Sequence, residues 1–265
     1  MMRDPSLSVV IPVYNEAGNI PPLAEQLGRA LAGWPGRVEF LFVDDGSRDG
    51  TPEELRAAES ADSRVRVVRF KRNLGQTAAL AAGFSLAKGD AIVTLDGDLQ
   101  NDPADIPRLV RMLAEWDAVC GIRLRRQDGG WKRFSSRIAN AFRNWVTGDD
   151  TVDTGCTLKA FRRECLAGLE LYQGMHRFLP TLIKMRGFRV AQVPVNHRPR
   201  VHGNTKYGTW GRMVKGLADV YAVRWMKKNR INFQSELVDP AVPCPADRQS
   251  SDRLEKPSLT ELLRH

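Results

Sequence analysis

Four mostly apolar segments divide the first hundred residues, and a polar cluster follows each of them. They read LSVVIPVY (7–14), VEFLFV (38–43), VRVVRF (65–70) and AIVTL (91–95). Short runs rich in β-branched residues are typical of strands buried in a parallel sheet. Apolar residues at helical spacing follow the first three runs, and they predict helices from Asn15-Glu16 to Leu31, from Thr51 or Pro52, and from Gln76 to Ala87. This alternation predicts an α/β fold with a doubly wound, mostly parallel sheet, whose ligands bind beyond the carboxyl ends of the strands.

The second half of the chain has a different pattern. A fifth strand is predicted over 118–122, and large apolar residues then recur every three or four positions over 131–147 and 209–230, with arginine and lysine between them. This spacing predicts two amphipathic helices with tryptophan anchors for a membrane interface, although stripes of this kind also pack against a sheet. Residues 231–265 hold four prolines among polar residues and predict a mostly disordered tail. We therefore expect one domain over 1–230, with a nucleotide half (1–100) and an acceptor half (101–230).

The charge of the chain is concentrated in two segments. The formal net charge is +9, and residues 121–146 carry +6 while residues 197–230 carry +8, so the rest of the chain is net negative. A surface of this kind suits an anionic partner, either a lipid head-group layer or nucleic acid. No nucleic-acid recognition motif accompanies the charge, so we do not expect nucleic acid to be the partner.

No apolar run approaches the roughly 20 residues that cross a bilayer, and the first residues lack the layout of a signal peptide. We therefore predict a cytoplasmic protein that binds peripherally to the cytoplasmic face of the membrane. The four cysteines lack zinc-site spacing, so reduced thiols are expected.

The fourth strand leads directly into Asp96, Gly97 and Asp98. Residues two apart on an extended chain point the same way, so both carboxylates can converge on one cation. Carboxylate oxygens suit Mg²⁺ or Mn²⁺, which share their remaining positions with water and substrate phosphate. Alone, this pair would more often be two solvated aspartates in a loop.

Five motifs occur in a fixed order along the chain: VVIPVYNE, VDDGSRDGT, NLGQTAALAAG, LDGDLQNDP and HRPRVHGNTKYG. Their order and spacing resemble those of family 2 glycosyltransferases with the GT-A fold, and more narrowly those of the dolichol-phosphate mannose synthase group of polyprenyl-phosphate sugar transferases. The resemblance covers residues 7–230 and implies metal-dependent, inverting transfer from a UDP- or GDP-sugar to a polyprenyl phosphate. Residues 221–225 read YAVRW and lack the glutamine of the QxxRW signature of processive synthases, so we expect transfer of a single sugar.

The resemblance also implies roles for individual residues. The nucleotide pocket is expected to include side chains that follow the first three strands, namely Pro12, Tyr14, Glu16, Asp44, Asp45, Arg72 and Asn73. For Asp45 and Asn73, a turn or helix cap without a ligand stays an equal alternative.

At the metal, Asp98 is expected to be a direct ligand and Asp96 a direct or water-mediated one, with Gln100 completing the shell. Arg200 and Lys206 match the family's basic loop, which closes over the diphosphate. A guanidinium grips phosphate oxygens with two hydrogen bonds, and a lysine adds a point charge.

The acceptor decides whether the enzyme needs a general base. A phosphate monoester is already anionic at neutral pH, whereas a hydroxyl must lose its proton during attack. Arg123 and Arg133 match arginines that the family uses for the acceptor phosphate, and Arg137 is their neighbour. Asp153 is expected to contact a sugar hydroxyl or, with a hydroxyl acceptor, to be the base, and a loop cap is as good an interpretation.

Two alternatives stay open. One is a soluble family 2 transferase whose acceptor is a hydroxyl on a glycan, a protein or a small molecule. The other is a non-catalytic basic protein that binds a membrane or nucleic acid on the same scaffold. A separate membrane-anchor protein and a homo-oligomer are also compatible with the sequence.

Overall fold

The computed structural model describes residues 5–123, 144–146, 148–199 and 209–229, and the side chains of the last range from Ala218 onward. The strands of these ranges are β1 Leu7–Val13, β2 Val38–Asp44, β3 Val65–Arg69, β4 Ala91–Thr94, β5 Ala118–Arg123, β6 Lys159–Arg162 and β7 Val190–Val195. The helices are α1 Ile20–Ala30, α2 Thr51–Ala61, α3 Gln76–Leu86, α4 Ile106–Met112, α5 Arg163–Leu166, α6 Leu179–Met185 and α7 Thr209–Asn229. Short 3₁₀ helices span Pro103–Asp105 and Met175–Phe178.

The seven strands form one sheet in the order β3-β2-β1-β4-β6-β5-β7. Strands β1 to β4 run parallel, and β5 runs parallel to β7. Strand β6 is antiparallel to both of its neighbours, β4 and β5. The predicted α/β fold with a doubly wound, mostly parallel sheet is therefore confirmed, and the carboxyl ends of the first four strands lie along one edge.

The central strands are apolar on both faces because helices cover both faces. Val9 and Ile11 belong to one hydrophobic cluster, which includes the buried side of α1, whereas Val10 belongs to a second cluster with residues of α3 and α6. Adjacent strand residues point to opposite faces, so an unbroken apolar run fills both layers. Helix α1 buries Ile20 and Leu23 at the spacing the sequence predicts.

Helix α7 agrees with the helix predicted over 209–230. Val220 and Val223 are buried against the 3₁₀ helix Met175–Phe178, while Tyr221 and Trp225 are exposed. In the described part of the chain no helix is both long and apolar enough to traverse a bilayer. Residues 144–146 are helical, and the rest of the helix predicted over 131–147 lies outside the described residues, as does the tail from residue 230. An interfacial role for these helices stays a prediction.

The first helix begins later than its sequence pattern predicts. It starts at Ile20 and not at Asn15-Glu16, because the backbone N–H groups before it bond to side chains of the loop and helix after β2. The amide of Asn15 donates to the Ser47 hydroxyl, and the amide of Glu16 donates to the Thr51 hydroxyl. Asn15 also has φ 51°, which a right-handed helix does not admit.

Other differences are smaller. Strand β2 gains Asp44, β5 gains Arg123, and β1, β3 and β4 each end one residue earlier than predicted. Strands β6 and β7 were not predicted, since each is short and contains charged residues, glutamine or proline.

Of the cysteines, those at 120, 156 and 165 are free and buried, as expected for reduced thiols. Burial raises the pKa of Cys120 to about 12, so that thiol stays protonated.

Asp149 ties the loop before β6 to helix α6. Its side chain is 2% exposed and pairs with Lys184 at 2.7 Å. Thr151 and Thr181 also donate hydroxyl hydrogen bonds to it. Burial opposes ionisation of this carboxyl, but the hydrogen bonds from Lys184, Thr181 and Thr151 outweigh burial and lower its pKa to about 2.

We expect Gly89→Ala to lower the free energy of unfolding by about 1–3 kcal/mol, because the added methyl group cannot fit. A Cβ at this position would lie 2.5 Å from the Ser8 nitrogen and 2.6 Å from the Leu7 carbonyl carbon, and both are backbone atoms of β1. Urea unfolding measures the change. Gly33→Ala is the matched control, since nothing lies within 4 Å of its Cβ. Equal stability of the two variants would contradict this packing.

The Asp149 contacts predict a loss of stability in acid. A carboxyl with a pKa lowered on folding stabilises the protein above its unfolded pKa and stops doing so as pH falls through its folded value. The contribution, about 2 kcal/mol, should be complete above about pH 5 and should fade between about pH 4 and 2. Asp149→Asn should thus cost more stability at pH 7 than at pH 3 in urea titrations. Glu115→Gln is the control, because that side chain is exposed on the chain after α4 and away from Lys184. A pH-independent difference would contradict the prediction.

Candidate active site

The polar side chains predicted for the site collect at the carboxyl ends of β1, β2 and β4. Pro12 lies at the end of β1, Asp44 at the end of β2 and Asp96 two residues beyond β4. The three strands are neighbours and run parallel, so these positions are adjacent in space. Residues far apart in the sequence thereby form one edge of a site.

The acidic pair lies in a turn and not on an extended chain. Strand β4 ends at Thr94, and Leu99 adopts φ 61°, so the geometry expected for two residues on one strand face is wrong. The two carboxylates still interact electrostatically: burial raises the pKa of Asp96 to about 7, and the charge of Asp98 adds to that rise. Gln76, at the start of α3, donates an amide hydrogen bond of 2.8 Å to Asp96 Oδ1.

This donor set fits a hard divalent cation. A cation between the carboxylates would remove the repulsion that raises the Asp96 pKa, and oxygen ligands of this type suit Mg²⁺ or Mn²⁺. Within the described ranges, no three His, Cys, Asp or Glu side chains are arranged around a metal position. Two protein carboxylates would therefore share the ion with water and with phosphate oxygens, as Mg²⁺ commonly does.

The segment 95–101, called the metal turn because it contains Asp96 and Asp98, is hydrogen-bonded to the first residues of the basic loop, His197 and Arg198. The backbone amide of Arg198 donates to the Gln100 carbonyl at 2.8 Å, and Asn101 forms an antiparallel bridge with His197. The Gln100 side-chain amide lies 3.5 Å from the Arg198 carbonyl oxygen. Gln100 thus contacts the loop in this structure, and its role as a metal ligand stays a prediction. Arg200 and Lys206 lie outside the described residues.

Asp44 is buried beneath the predicted nucleotide pocket. One carboxylate oxygen accepts the backbone amide of Ser47 at 2.8 Å. The other lies 3.1 Å from Arg69 Nε, in an orientation that does not make a hydrogen bond. Arg69 and Arg72 line an open cavity of about 390 Å³ beside Gly46. Gly46 has φ 75°, and a Cβ there would lie 2.6 Å from the Arg72 carbonyl carbon, so only glycine suits this close approach.

Asp45 and Asn73 bond to each other. The Asn73 amide donates to Asp45 Oδ2 at 2.9 Å, and the backbone amides of Leu74 and Gly75 donate to the same carboxylate at 2.7 and 2.8 Å. The Asp45 side chain therefore holds the turn before α3 in position. Both residues were predicted to bind the nucleotide or to form a turn, and these contacts favour the turn.

Tyr14 and Glu16 follow β1 and are half-buried. The Glu16 carboxylate accepts the Asn19 side-chain amide at 2.7 Å, and its charge contributes to the raised pKa of Asp96. Glu16 therefore lies near the metal turn as well as near the predicted nucleotide pocket.

Arg123 and Asp153 form a bidentate ion pair. Arg123 Nε and Nη2 each lie 2.8 Å from one carboxylate oxygen, and the side chains are 17% and 10% exposed. The sequence predicts separate roles for them, as an acceptor-phosphate ligand and as a hydroxyl contact or base. In the structure each is the other's partner, so they act as a unit. Arg133 and Arg137 lie outside the described residues.

A cavity of about 170 Å³ opens beside Asp96. Its lining includes Lys159, the first residue of β6, and Arg177, from the 3₁₀ helix before α6. Sequence reasoning missed both, as well as Gln76. Gln76 lies within the motif NLGQTAALAAG, which could have indicated it, whereas β6 and the 3₁₀ helix have no pattern that places them at this edge.

His176 also lines the cavity and is held by Thr77. Its Nδ1 lies 2.7 Å from the Thr77 hydroxyl, which also accepts the backbone amide of Gly174. Burial lowers the pKa of His176 to about 3, with the charges of Arg177 and Lys159 acting in the same direction. The imidazole is therefore neutral at physiological pH.

Comparison with known sequences identifies the family. A sequence profile described as glycosyl transferase family 2 matches residues 8–169, more than half of the chain. An undecaprenyl-phosphate 4-deoxy-4-formamido-L-arabinose transferase of Pseudomonas syringae pv. syringae is 41% identical over 203 residues, covering 76% of this chain and 60% of the relative. A dodecaprenyl-phosphate galacturonate synthase of Rhizobium johnstonii is 37% identical over 228 residues, covering 84% of this chain and 67% of the relative. The chain thus spans about three fifths to two thirds of the length of these relatives.

Solved structures with the same fold are more distant in sequence. A mannosyltransferase from Pyrobaculum calidifontis, in complex with GDP-Man and Mn²⁺, superposes with a TM-score of 0.62 at 22% identity, covering 88% of this chain and 67% of that one. Glucosyl-3-phosphoglycerate synthase from Mycobacterium tuberculosis, with Mn²⁺, UDP and glucosyl-3-phosphoglycerate, has a TM-score of 0.62 at 22% identity, covering 84% and 80%. These likenesses support the GT-A fold, and with the sequence profile they lead to one conclusion: the chain belongs to glycosyl transferase family 2.

Proposed function

We propose that this protein transfers a single sugar from a UDP- or GDP-sugar to a polyprenyl phosphate, with Mg²⁺ or Mn²⁺ bound at Asp96 and Asp98. The observation that carries the proposal is the crowded acidic pair at the carboxyl end of β4, beside a cavity with cationic walls. Both sequence relatives described above are polyprenyl-phosphate sugar transferases or synthases, and both solved structures contain Mn²⁺.

The nucleotide would lie over the ends of β1 and β2. Asp44 is buried there, and its carboxylate can accept from a base N–H or a ribose hydroxyl. Pro12 and Tyr14 would pack beside the base, while Arg72 and Glu16 border the same region. Asp45 and Asn73 would contribute indirectly, by holding the turn that precedes α3.

The departing diphosphate carries the charge that the site must stabilise. A divalent cation supplies Lewis-acid assistance to a leaving group of this kind. Asp96 and Asp98 would hold the ion, Gln76 fixes the orientation of Asp96, and Gln100 would add an oxygen ligand. Arg200 and Lys206 would close over the diphosphate from the basic loop, whose root is hydrogen-bonded to the metal turn.

The acceptor would bind on the side of Arg123. A phosphate monoester arrives as an anion, so arginines that position it replace a general base. Arg123, Arg133 and Arg137 would bind the phosphate, and the Asp153 carboxylate fixes the orientation of the Arg123 guanidinium. Attack from the face opposite the diphosphate inverts the configuration of the sugar.

We also propose peripheral attachment to the cytoplasmic face of the membrane. Three aromatic side chains, Trp145, Tyr221 and Trp225, are more than half exposed. Arg224 and Lys227 lie on the same helix as the last two and donate to the carbonyls of residues 146 and 148. Exposed aromatic rings among cations suit the head-group region of an anionic bilayer.

A hydroxyl acceptor is the second candidate. It would require a base, and Asp153 is the carboxylate that accepts the backbone amide of Gly155, a residue of the cavity lining. Both of its oxygens are engaged by Arg123, which stabilises the ionised form but occupies the lone pairs that would take a proton. The geometry therefore favours a phosphate acceptor.

We expect Asp98→Asn to reduce nucleoside diphosphate release at least a hundredfold, because the variant loses the charge that binds the cation. The assay uses UDP- and GDP-sugars with Mn²⁺ or Mg²⁺, in the presence and absence of a short polyprenyl phosphate. Release should need the lipid and should stop in excess chelator. Glu115→Gln removes an exposed carboxylate far from this edge and should keep wild-type turnover. Full turnover in chelator or in Asp98→Asn would overturn the proposal.

The two acceptor classes predict different results for the Arg123–Asp153 pair. With a phosphate acceptor, Arg123→Gln should lower kcat/KM for the lipid about a hundredfold, and Asp153→Asn should lower it less. With a hydroxyl acceptor, Asp153→Asn should be the more damaging change, since a general base contributes roughly 10²–10⁴ in rate. Arg111→Gln, on an exposed position of α4, is the matched arginine control. A greater loss in Asp153→Asn would rule out the phosphate assignment.

A further inference from the structure

The cavity beside Asp96 is lined by a buried cation, Lys159, that forms no direct ion pair with any residue the structure describes. Lys159 is 3% exposed, and its ammonium group donates a hydrogen bond to the Cys156 carbonyl. Among the residues that the structure describes, no carboxylate lies within 4.0 Å of this ammonium. An ammonium group has three donors, and a buried charge is strongly disfavoured unless it is paired. The wall of the cavity therefore has a charge and donors available for a ligand.

A second cation reinforces the first. Arg177 lines the same cavity, is itself exposed to solvent, and its guanidinium has no ion pair or hydrogen bond to any other described side chain. Among the described residues of the lining, Asp96 is the one acid; its carboxylate attracts Lys159 at longer range, and its charge would be matched by the metal once the ion is bound. His176 adds no charge, because it is neutral. With the metal bound, the lining thus presents two uncompensated positive charges.

The size and position of the cavity indicate which part of the substrate it takes. At about 170 Å³ it is smaller than the roughly 300 Å³ at which pockets for drug-sized ligands begin, so it suits one sugar ring and not a whole nucleotide sugar. It opens beside Asp96, where, under the proposed function, the metal and the diphosphate lie. A sugar joined to that diphosphate would enter it directly.

We infer that Lys159 and Arg177 form a carboxylate subsite, and that the donor sugar of this protein is a hexuronic acid. The inference rests on the proposed function, since it assigns the substituent of the same donor. A carboxylate accepts charge-assisted hydrogen bonds from both an ammonium and a guanidinium, and it would give Lys159 the direct ion pair that it lacks among the described residues. The carboxylate of a hexuronic acid is its C6 group. A neutral hexose has a hydroxymethyl group at C6, which offers these cations no anionic partner on the sugar.

Matched nucleotide sugars test the inference by binding alone. The purified chain is titrated calorimetrically in Mn²⁺ with three pairs that differ only in the carboxylate: UDP-glucuronate and UDP-glucose, UDP-galacturonate and UDP-galactose, and GDP-mannuronate and GDP-mannose. In at least one pair the uronate should bind ten times more tightly or better. This preference should fall to within about twofold in Arg177→Gln and in Lys159→Met, since each loses a charge-assisted hydrogen bond. Arg111→Gln should keep it.

Each other outcome has a defined meaning. Equal affinity within all three pairs, or a preference that survives in Arg177→Gln, overturns the inference; Arg177 is exposed, so that variant should fold even if Lys159→Met does not. If UDP and GDP bind but uronates have no advantage, only the carboxylate subsite fails. If no nucleotide or nucleotide sugar binds, the proposed function fails with it. The acceptor phosphate is the other anion that these cations could bind, and a titration with farnesyl phosphate tests it. If Arg177→Gln and Lys159→Met weaken the binding of farnesyl phosphate and leave the preference within the sugar pairs unchanged, the cations bind the acceptor phosphate and the inference is wrong.

Discussion

The burial of β1 between two parallel strands is the constraint on which the site depends. Both edges of β1 are hydrogen-bonded, and its side chains fill the apolar layers on both faces of the sheet. The centres of these strands are therefore apolar, and the polar residues of the site lie where the strands end. The ladder continues to that point, since the Asp45 amide bonds to the Val13 carbonyl and the Leu95 amide to the Val10 carbonyl. The two ladders end three residues apart along β1, which is roughly 10 Å, so the polar clusters after β2 and β4 are near enough for a single ligand to contact both.

Strand β6 is antiparallel to β4, so it contributes its amino-terminal residue, and not its carboxyl end, to the edge where the site lies. Because β6 runs against β4, its first residue lies beside the last residue of β4, and the register pairs Lys159 with Thr94. A parallel strand in this position would place its amino end, and therefore the lysine, at the far edge of the sheet. The reversal of one strand brings a cation to the edge where the acidic pair lies. Charge of both signs thereby lines the described part of the cavity, with Asp96 as the acid and Lys159 and Arg177 as the cations.

The sequence was most informative where structure is local. Apolar runs placed β1 to β4, and motif order placed Asp44, Asp96 and Asp98 at one edge, because parallel strands put their carboxyl ends together. The sequence did not predict features that depend on contacts between residues far apart along the chain. The amides of Asn15 and Glu16 bond to side chains more than thirty residues away, which delays α1, and no local pattern carries that information. Lys159 and Arg177 were missed for the same reason, since only the reversed β6 and the 3₁₀ helix after it bring them to the cavity.

The hydrogen bonds between residues 197–198 and 100–101 couple two parts of the site that the sequence separates by almost a hundred positions. The Asp98 carboxylate accepts the Gln100 amide, and the Gln100 carbonyl in turn accepts the Arg198 amide. Arg198 is also fixed by ion pairing with Asp102 at 2.7 Å. A ligand that fixes the Asp98 carboxylate therefore also fixes the point from which the basic loop leaves the sheet. The Asp98 carboxylate and the Arg198 amide are thus joined by two successive hydrogen bonds that both pass through Gln100.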